Sequence, residues 1–194
     1  MNKGWLKIPG VQDGDRSLAE QLLGLEPALA ACDGRTVYDF GCAEGLIGIE
    51  FGKRGAAAVR GCDLLPSFVA EANRQADLVG LGVTCQCRDY SLVSFRGAEY
   101  PADFPEFDQR FDIVLALAIV HKLRTPGPAL RLMAGMATKR LVIRLPIGST
   151  GIIACKYDKA VNCDAHQVMG DAGFTLEQMI KGPRGEMVQH WVRA

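Results

Sequence analysis

The residues best placed to do chemistry fall in one short stretch, Asp39-Phe40-Gly41-Cys42-Ala43-Glu44-Gly45-Leu46-Ile47-Gly48. Gly41 and Gly45 remove side chains where a chain must turn sharply and where a ligand must approach backbone. Asp39 and Glu44 set two carboxylates around the same turn. A dinucleotide-binding turn needs G-x-G-x-x-G, with a pyrophosphate seated on the helix that follows. Here Ala43 occupies the middle glycine position, and the two anions would repel a poorly solvated pyrophosphate. A cationic ligand is favoured instead. The plain alternative is an ordinary strand-to-helix turn.

S-adenosylmethionine, with a sulfonium, an ammonium and one carboxylate, is net positive and suits such a turn. An NAD-type oxidoreductase is disfavoured by Ala43 and Glu44. Two more carboxylates end predicted strands: Asp63 in Cys62-Asp63-Leu64 and Asp89 in Arg88-Asp89-Tyr90. A carboxylate facing a vicinal diol accepts two hydrogen bonds; the competing role for each is to cap the next turn. His121 could take a proton near neutral pH or merely cap a loop. His166, in a predicted helix, and His190, in the last predicted strand, read as structural.

The elements that must position these residues follow from periodicity. Ser17-Leu18-Ala19-Glu20 is a capping-box sequence, and Leu18, Leu22, Leu25 and Leu29 recur at helical spacing, which predicts a helix from Ser17 to Ala31. Predicted strands are Thr36–Phe40, Ala58–Cys62, Val83–Arg88, Phe111–Ala118 and Leu141–Leu145. Helices are expected after the glycine turn through Ile49 and Phe51, from Pro66 to Val79, from Pro128 to Met136 and from Asp164 to Ala172. Phe174–Lys181 and Glu186–Val192 read as a hairpin around Gly182-Pro183-Arg184-Gly185. Alternating strands and helices predict an open α/β sheet with helices on both faces. Ligands in such folds bind beyond the carboxyl ends of the strands. Residues 1–16 read as a lead-in and 17–194 as a single domain.

Composition narrows the field. The chain has 194 residues, 48% hydrophobic and 23% charged, so disorder is excluded. Lys+Arg and Asp+Glu both number 22, which leaves no basic excess to follow a phosphate backbone. The longest apolar run, Ile113–Val120, is far short of the ~20 residues that span a bilayer. No secretory h-region opens the chain. Seven cysteines without a CxxC pair point to a reduced, cytoplasmic setting. Cys85 and Cys87 lack a second ligand pair, so zinc is not expected.

Val37-Tyr38-Asp39-Phe40-Gly41-Cys42-Ala43-Glu44-Gly45 resembles the glycine-rich motif of class I S-adenosylmethionine-dependent methyltransferases. The resemblance covers roughly Arg35 to Ala194 and is strongest over residues 37–49. Ala43 departs from it, since many members have glycine there. It implies a seven-stranded, mostly parallel sheet of order 3-2-1-4-5-7-6 with strand 7 antiparallel. It implies that Asp63 accepts from the ribose hydroxyls and Asp89 from the adenine amino group. The further cofactor-contacting positions it implies are Asp39, Gly41, Cys42, Ala43, Glu44, Gly45, Leu46, Leu64, Tyr90 and Ala116.

The fourth-strand exit, Leu115 to Leu123, lacks the Asn/Asp-Pro-Pro-Tyr/Phe tetrapeptide of amino-group methyltransferases and the acidic metal ligands of catechol-type enzymes. It resembles metal-free members acting on small molecules, which often have His at the position of His121, here the catalytic candidate. Such family members often fold a segment like Trp5 to Arg16 over the cofactor; a solvated tail is the alternative. The expected activity is metal-independent methyl transfer to a small-molecule acceptor, with S-adenosylhomocysteine as product and no membrane partner. An RNA methyltransferase or a non-catalytic S-adenosylmethionine-binding protein is the alternative. Acceptor contacts are expected from Ser91–Arg110, Ile119–Thr125 and Ile147–Lys159. Nothing in the sequence points to an oligomeric state.

Overall fold

The computed structural model describes residues 3–8, 11–87, 108–146, 151–156 and 158–193. Its centre is a seven-stranded sheet. The strands are β3 (Thr36–Phe40), β4 (Ala58–Asp63), β5 (Val83–Cys87), β6 (Phe111–Leu117), β7 (Ala137–Leu145), β10 (Phe174–Lys181) and β11 (Met187–Arg193). Their order is β10-β11-β7-β6-β3-β4-β5, parallel except that β11 runs antiparallel to both β7 and β10. This is the expected topology. Strand order reverses between β3 and β6, so the carboxyl ends of those strands open the crevice where a ligand fits.

β3 and β6 are buried along most of their length because both faces of the sheet are covered. On one face α5 (Pro126–Met136) and α6 (Ala165–Asp171) pack Leu130, Met133 and Met169 onto Phe40, Val114 and Ile143, all buried. On the other, α2 (Glu26–Ala30), α3 (Leu46–Lys53) and α4 (Pro66–Leu78) bring Leu25, Phe51 and Ala72 onto Val37, Ile113 and Leu115. Truncating a fully buried leucine such as Leu115 to alanine costs about 2–5 kcal/mol. That rigidity fixes the strand ends.

The single helix expected from Ser17 to Ala31 is two helices, α1 (Leu18–Leu22) and α2. The break has a physical cause. Gly24 is left-handed, at φ +80°, its carbonyl accepts from His190 Nε2 at 2.7 Å, and Pro27 opens the next turn. A Cβ on Gly24 would stand 2.9 Å from Val188 Cγ2. Strand β7 is longer than the apolar run implied, because Thr138 and Lys139 extend it with outward-facing side chains.

Two small sheets were not legible. β1 (Lys3–Leu6) and β2 (Asp13–Arg16) pair in parallel, so the lead-in is not a solvated tail. β8 (Ile152–Ala154) and β9 (Asn162–Asp164) form a short antiparallel pair. Neither has the length or alternation that marks a strand in sequence. Gly14 makes the first pairing work, because a Cβ there would lie 2.3 Å from the Leu6 carbonyl carbon.

Candidate functional site

The carboxyl ends of β3, β4 and β6 open into a cavity of about 310 Å³. The turn after β3 is built by local hydrogen bonding. The Gly41 and Cys42 amides both donate to the Cys62 carbonyl, at 2.8 and 3.1 Å, and the Gly45 amide donates to the Cys42 carbonyl at 2.8 Å. Gly41 and Gly45 have φ of +74° and +73°, which only glycine adopts without strain. Ala43 follows the same backbone path at φ +45°, so the residue that departs from the expected glycine pattern carries strain. Gly45 also lets α3 meet α4, since a Cβ there would stand 2.7 Å from Ala72 Cβ.

Asp39, Gly41, Cys42, Ala43, Asp63 and Leu64 all line the cavity. Asp63 ties the turn to β4, with Oδ2 accepting from the Ala43 amide at 2.9 Å and Oδ1 from the Leu65 amide at 3.0 Å. Asp39 is 3% exposed, and burial pushes its carboxyl up to about 7. The Asp63 charge pushes in the same direction and Arg144 opposes both. A buried acid poised this way gains from any cation that enters beside it. The Cys42 thiol is held protonated by its hydrogen bond with the free Cys85 thiol and by burial, so it is not a nucleophile.

Several expected positions stand elsewhere. Glu44 turns away from the cavity. Its fully buried carboxylate accepts from the Trp5 amide at 2.6 Å, from Gln12 Nε2 at 2.8 Å and from the Leu6 amide at 3.3 Å. It therefore holds the N-terminal strand pair and is not among the residues that line the cavity. The physical reason is satisfaction: a buried carboxylate needs donors, and β1 supplies them. Gly45, Leu46 and Ala116 are not among the lining residues, and Ala116 is sealed within β6. Asp89 and Tyr90 lie outside the described residues, as does most of Ser91–Arg110.

His121 sits in the short 3₁₀ turn Val120–Lys122, half-buried and not among the residues that line the cavity. Burial, with Lys122, Lys156 and Lys159 nearby, pushes its imidazole down to about 4. It is neutral at pH 7 and a weak proton acceptor. Among the described residues no group of three or more His, Cys, Asp or Glu is arranged to hold a metal ion.

The opposite wall was partly missed. Trp5 and Leu6 of β1, with Arg16 of β2, close the cavity from above, joined by Gln21, Ile119, Lys122, Arg144 and Glu186. The Trp5 ring lies 4.9 Å from the Arg16 guanidinium and 5.2 Å from Lys122 Nζ, a pair of cation–π contacts. Arg144, 2% exposed, donates to Gln21 Oε1 at 2.7 Å. Its guanidinium is pushed down to about 10, first by burial. Trp5, Leu6 and Arg16 were signalled by the segment before the first helix, and Ile119 and Lys122 by the fourth-strand exit, while Gln21, Arg144 and Glu186 carried no signal.

A family profile described as a methyltransferase domain matches residues 38–140, from β3 across the glycine turn into β7. The chain belongs to that family. Ribosomal protein L11 methyltransferase of Aeromonas salmonicida is 33% identical over 114 residues, 54% of this chain and 35% of that protein. The methyltransferase-domain chain thus spans about a third of the length of such curated relatives. Magnesium protoporphyrin IX methyltransferase from Synechocystis, solved with bound S-adenosylhomocysteine, superposes with a TM-score of 0.66 at 19% identity, covering 94% of this chain and 90% of that one. The [4+2]-cyclase SpnF superposes at 0.64 with 14% identity, over 98% and 86%. The last two show the fold alone, and the cyclase illustrates that one fold carries more than one chemistry.

Proposed function

We propose that the chain transfers the methyl group of S-adenosylmethionine to a small-molecule acceptor without a metal ion. The observation that carries this reading is the pair of carboxylates at the glycine turn, Asp39 buried and poised near neutrality beside Asp63 in one cavity. The residues fit the cofactor. Asp39 gains a counter-charge from its cationic methionyl part, and the bare Gly41 backbone lets that part approach. Asp63, on the rim of the turn, faces the ribose hydroxyls with lone pairs left after its two amide bonds.

The cofactor supplies an electrophilic methyl on a sulfonium. The protein's part is alignment, with the acceptor held in line behind that carbon. Trp5 and Ile119 exclude water from the cavity, and Glu44 fixes the strand that bears Trp5. His121, outside the cavity lining and held neutral, is not the base in this reading. An acceptor that arrives already deprotonated needs none.

Thermal unfolding with S-adenosylhomocysteine, with S-adenosylmethionine and with NAD tests the proposal. Stabilisation by the first two and not by NAD is expected, followed by release of S-adenosylhomocysteine with some member of a metabolite panel. Stabilisation by NAD, or by none of the three, contradicts it. Methyl transfer that EDTA abolishes and Mg²⁺ restores would contradict the metal-free part.

A further inference from the structure

The wall facing the glycine turn is built from cations. Arg16, Lys122 and Arg144 line it, against Glu186 on the same wall and Asp63 across the cavity. Glu186 is shared between two of them, with Arg16 Nη2 at 3.6 Å from one carboxylate oxygen and Arg144 Nε at 3.8 Å from the other. The second distance is too long for a hydrogen bond. Glu186 Oε2 is left without a hydrogen-bond partner among the described residues, as are two buried donors, Arg144 Nε and Gln21 Nε2. Both residues are more than nine-tenths buried, and both line the cavity. Donors left open in this way cost stability unless something fills them.

Lys122 is the cation without a carboxylate in ion-pair range among the described residues. Its Nζ rests instead over the Trp5 ring. Burial, reinforced by the Lys156 and Arg16 charges, holds its ammonium below the ordinary lysine value, and the Asp63 and Glu186 charges oppose that shift. Lys156 and Lys159 extend the same positive field behind it, toward His121. The backbone makes this juxtaposition, because the Lys156 amide donates to the His121 carbonyl at 2.6 Å.

The charges do not balance once the cofactor is in place. Arg16, Lys122 and Arg144 are matched in number by Asp63, Glu186 and an ionised Asp39, so S-adenosylmethionine, with a sulfonium, an ammonium and one carboxylate, leaves one positive charge in excess. Resting on the methyl-transfer reading, we propose that the acceptor is an oxyanion-bearing small molecule, a carboxylate or a phosphate ester. Lys122 pairs with its negative group, and Arg144 Nε and Gln21 Nε2 are the open donors of the same wall. A protonated amine, by contrast, would bring another cation to a wall that already has an excess.

The test uses the full chain saturated with S-adenosylhomocysteine and calorimetric titration of four probes: benzoate, phenyl phosphate, benzamide and benzylamine. Benzoate or phenyl phosphate is expected to bind about tenfold or more tightly than the amide and the amine, the worth of one charge-assisted hydrogen bond. Which of the two binds tells carboxylate from phosphate. Lys122→Met should lose that preference and Lys122→Arg should keep it. Equal binding of all four probes, or none by either anion, overturns the proposal.

The cofactor's own carboxylate is the other source of negative charge, and a second arm separates it. Lys122→Met should bind S-adenosylhomocysteine and 5′-methylthioadenosine, which lacks the carboxylate, as the wild type does. A variant that loses affinity for the first and not the second assigns Lys122 to the cofactor and overturns the proposal. Wild-type chain that binds no S-adenosylhomocysteine at all refutes the methyl-transfer reading itself, a separate result.

Discussion

The two walls of the cavity are built in opposite ways. The glycine-turn wall is contiguous: Asp39, Gly41, Cys42 and Ala43 follow one another, and Asp63 arrives at the end of the next strand. Its character is acidic. The facing wall is assembled from Trp5, Arg16, Gln21, Lys122, Arg144 and Glu186, drawn from six separate places in the chain, and three of those six are basic. One wall is read by a local rule of backbone geometry. The other exists only once β7, β11 and the N-terminal strands are packed together. In the proposed reading the first wall takes the cofactor and the second the acceptor.

The largest effect should come from the one residue that joins the walls. Glu44→Ala leaves the Trp5 and Leu6 amides without this acceptor, at about 1–3 kcal/mol for a donor that stays buried, while Gln12 Nε2 keeps the Leu6 carbonyl at 2.9 Å. The strand pair β1–β2 should detach while the main sheet persists. Amide exchange should then become fast at Trp5 and Leu6 and stay slow from Val37 to Phe40. Unchanged protection at Trp5 would break the claim that Glu44 holds the upper wall.

A smaller effect separates the walls by pH. Asp39 has a carboxyl raised from 3.8 to about 7 by burial. Its contribution to the stability of the free chain is fully present below about pH 4 and is lost as pH rises through about 7. Cofactor affinity should run the other way, because the cation prefers ionised Asp39. S-adenosylmethionine should bind about tenfold more weakly at pH 6 than at pH 8, with protons released on binding. Asp39→Asn should flatten that profile in calorimetry. A wild-type profile as flat as the variant's would put the cation elsewhere.

The smallest effect sharpens the reading of the turn. Ala43 at φ +45° carries left-handed strain that glycine relieves, partly offset by the greater freedom glycine has when unfolded. Ala43→Gly should stabilise the chain by about 0.5–1 kcal/mol in urea unfolding. Destabilisation would mean that the methyl group's packing outweighs the strain.

The same contrast explains what the sequence made legible. The closing hairpin and the glycine turn rest on short-range patterns, so they could be read, whereas the strand order was expected from the family resemblance. Pro66 opens a helix as expected, whereas the helix expected from Pro128 starts two residues earlier, at Pro126. Glu44 was legible as a carboxylate at the turn and not in its direction, because its partners are Trp5, Leu6 and Gln12, some thirty or more positions upstream. The break at Gly24 was hidden for a similar reason, since it is fixed by His190 from the last strand. Lys122 and Arg144 look like ordinary charges in a loop and a strand until folding buries them against Trp5 and Gln21.

Asp63 offers the most direct test that the cavity is a cofactor site, since it stands at the rim of the turn with oxygens still able to accept. The measurement is calorimetric titration of S-adenosylhomocysteine into wild type and Asp63→Ala, both first shown to be folded by thermal unfolding. Loss of hydrogen bonds to a charged acceptor predicts weaker binding in the variant by about 1.5–3 kcal/mol. Equal affinity in a folded Asp63→Ala would contradict the placement of the cofactor against this wall.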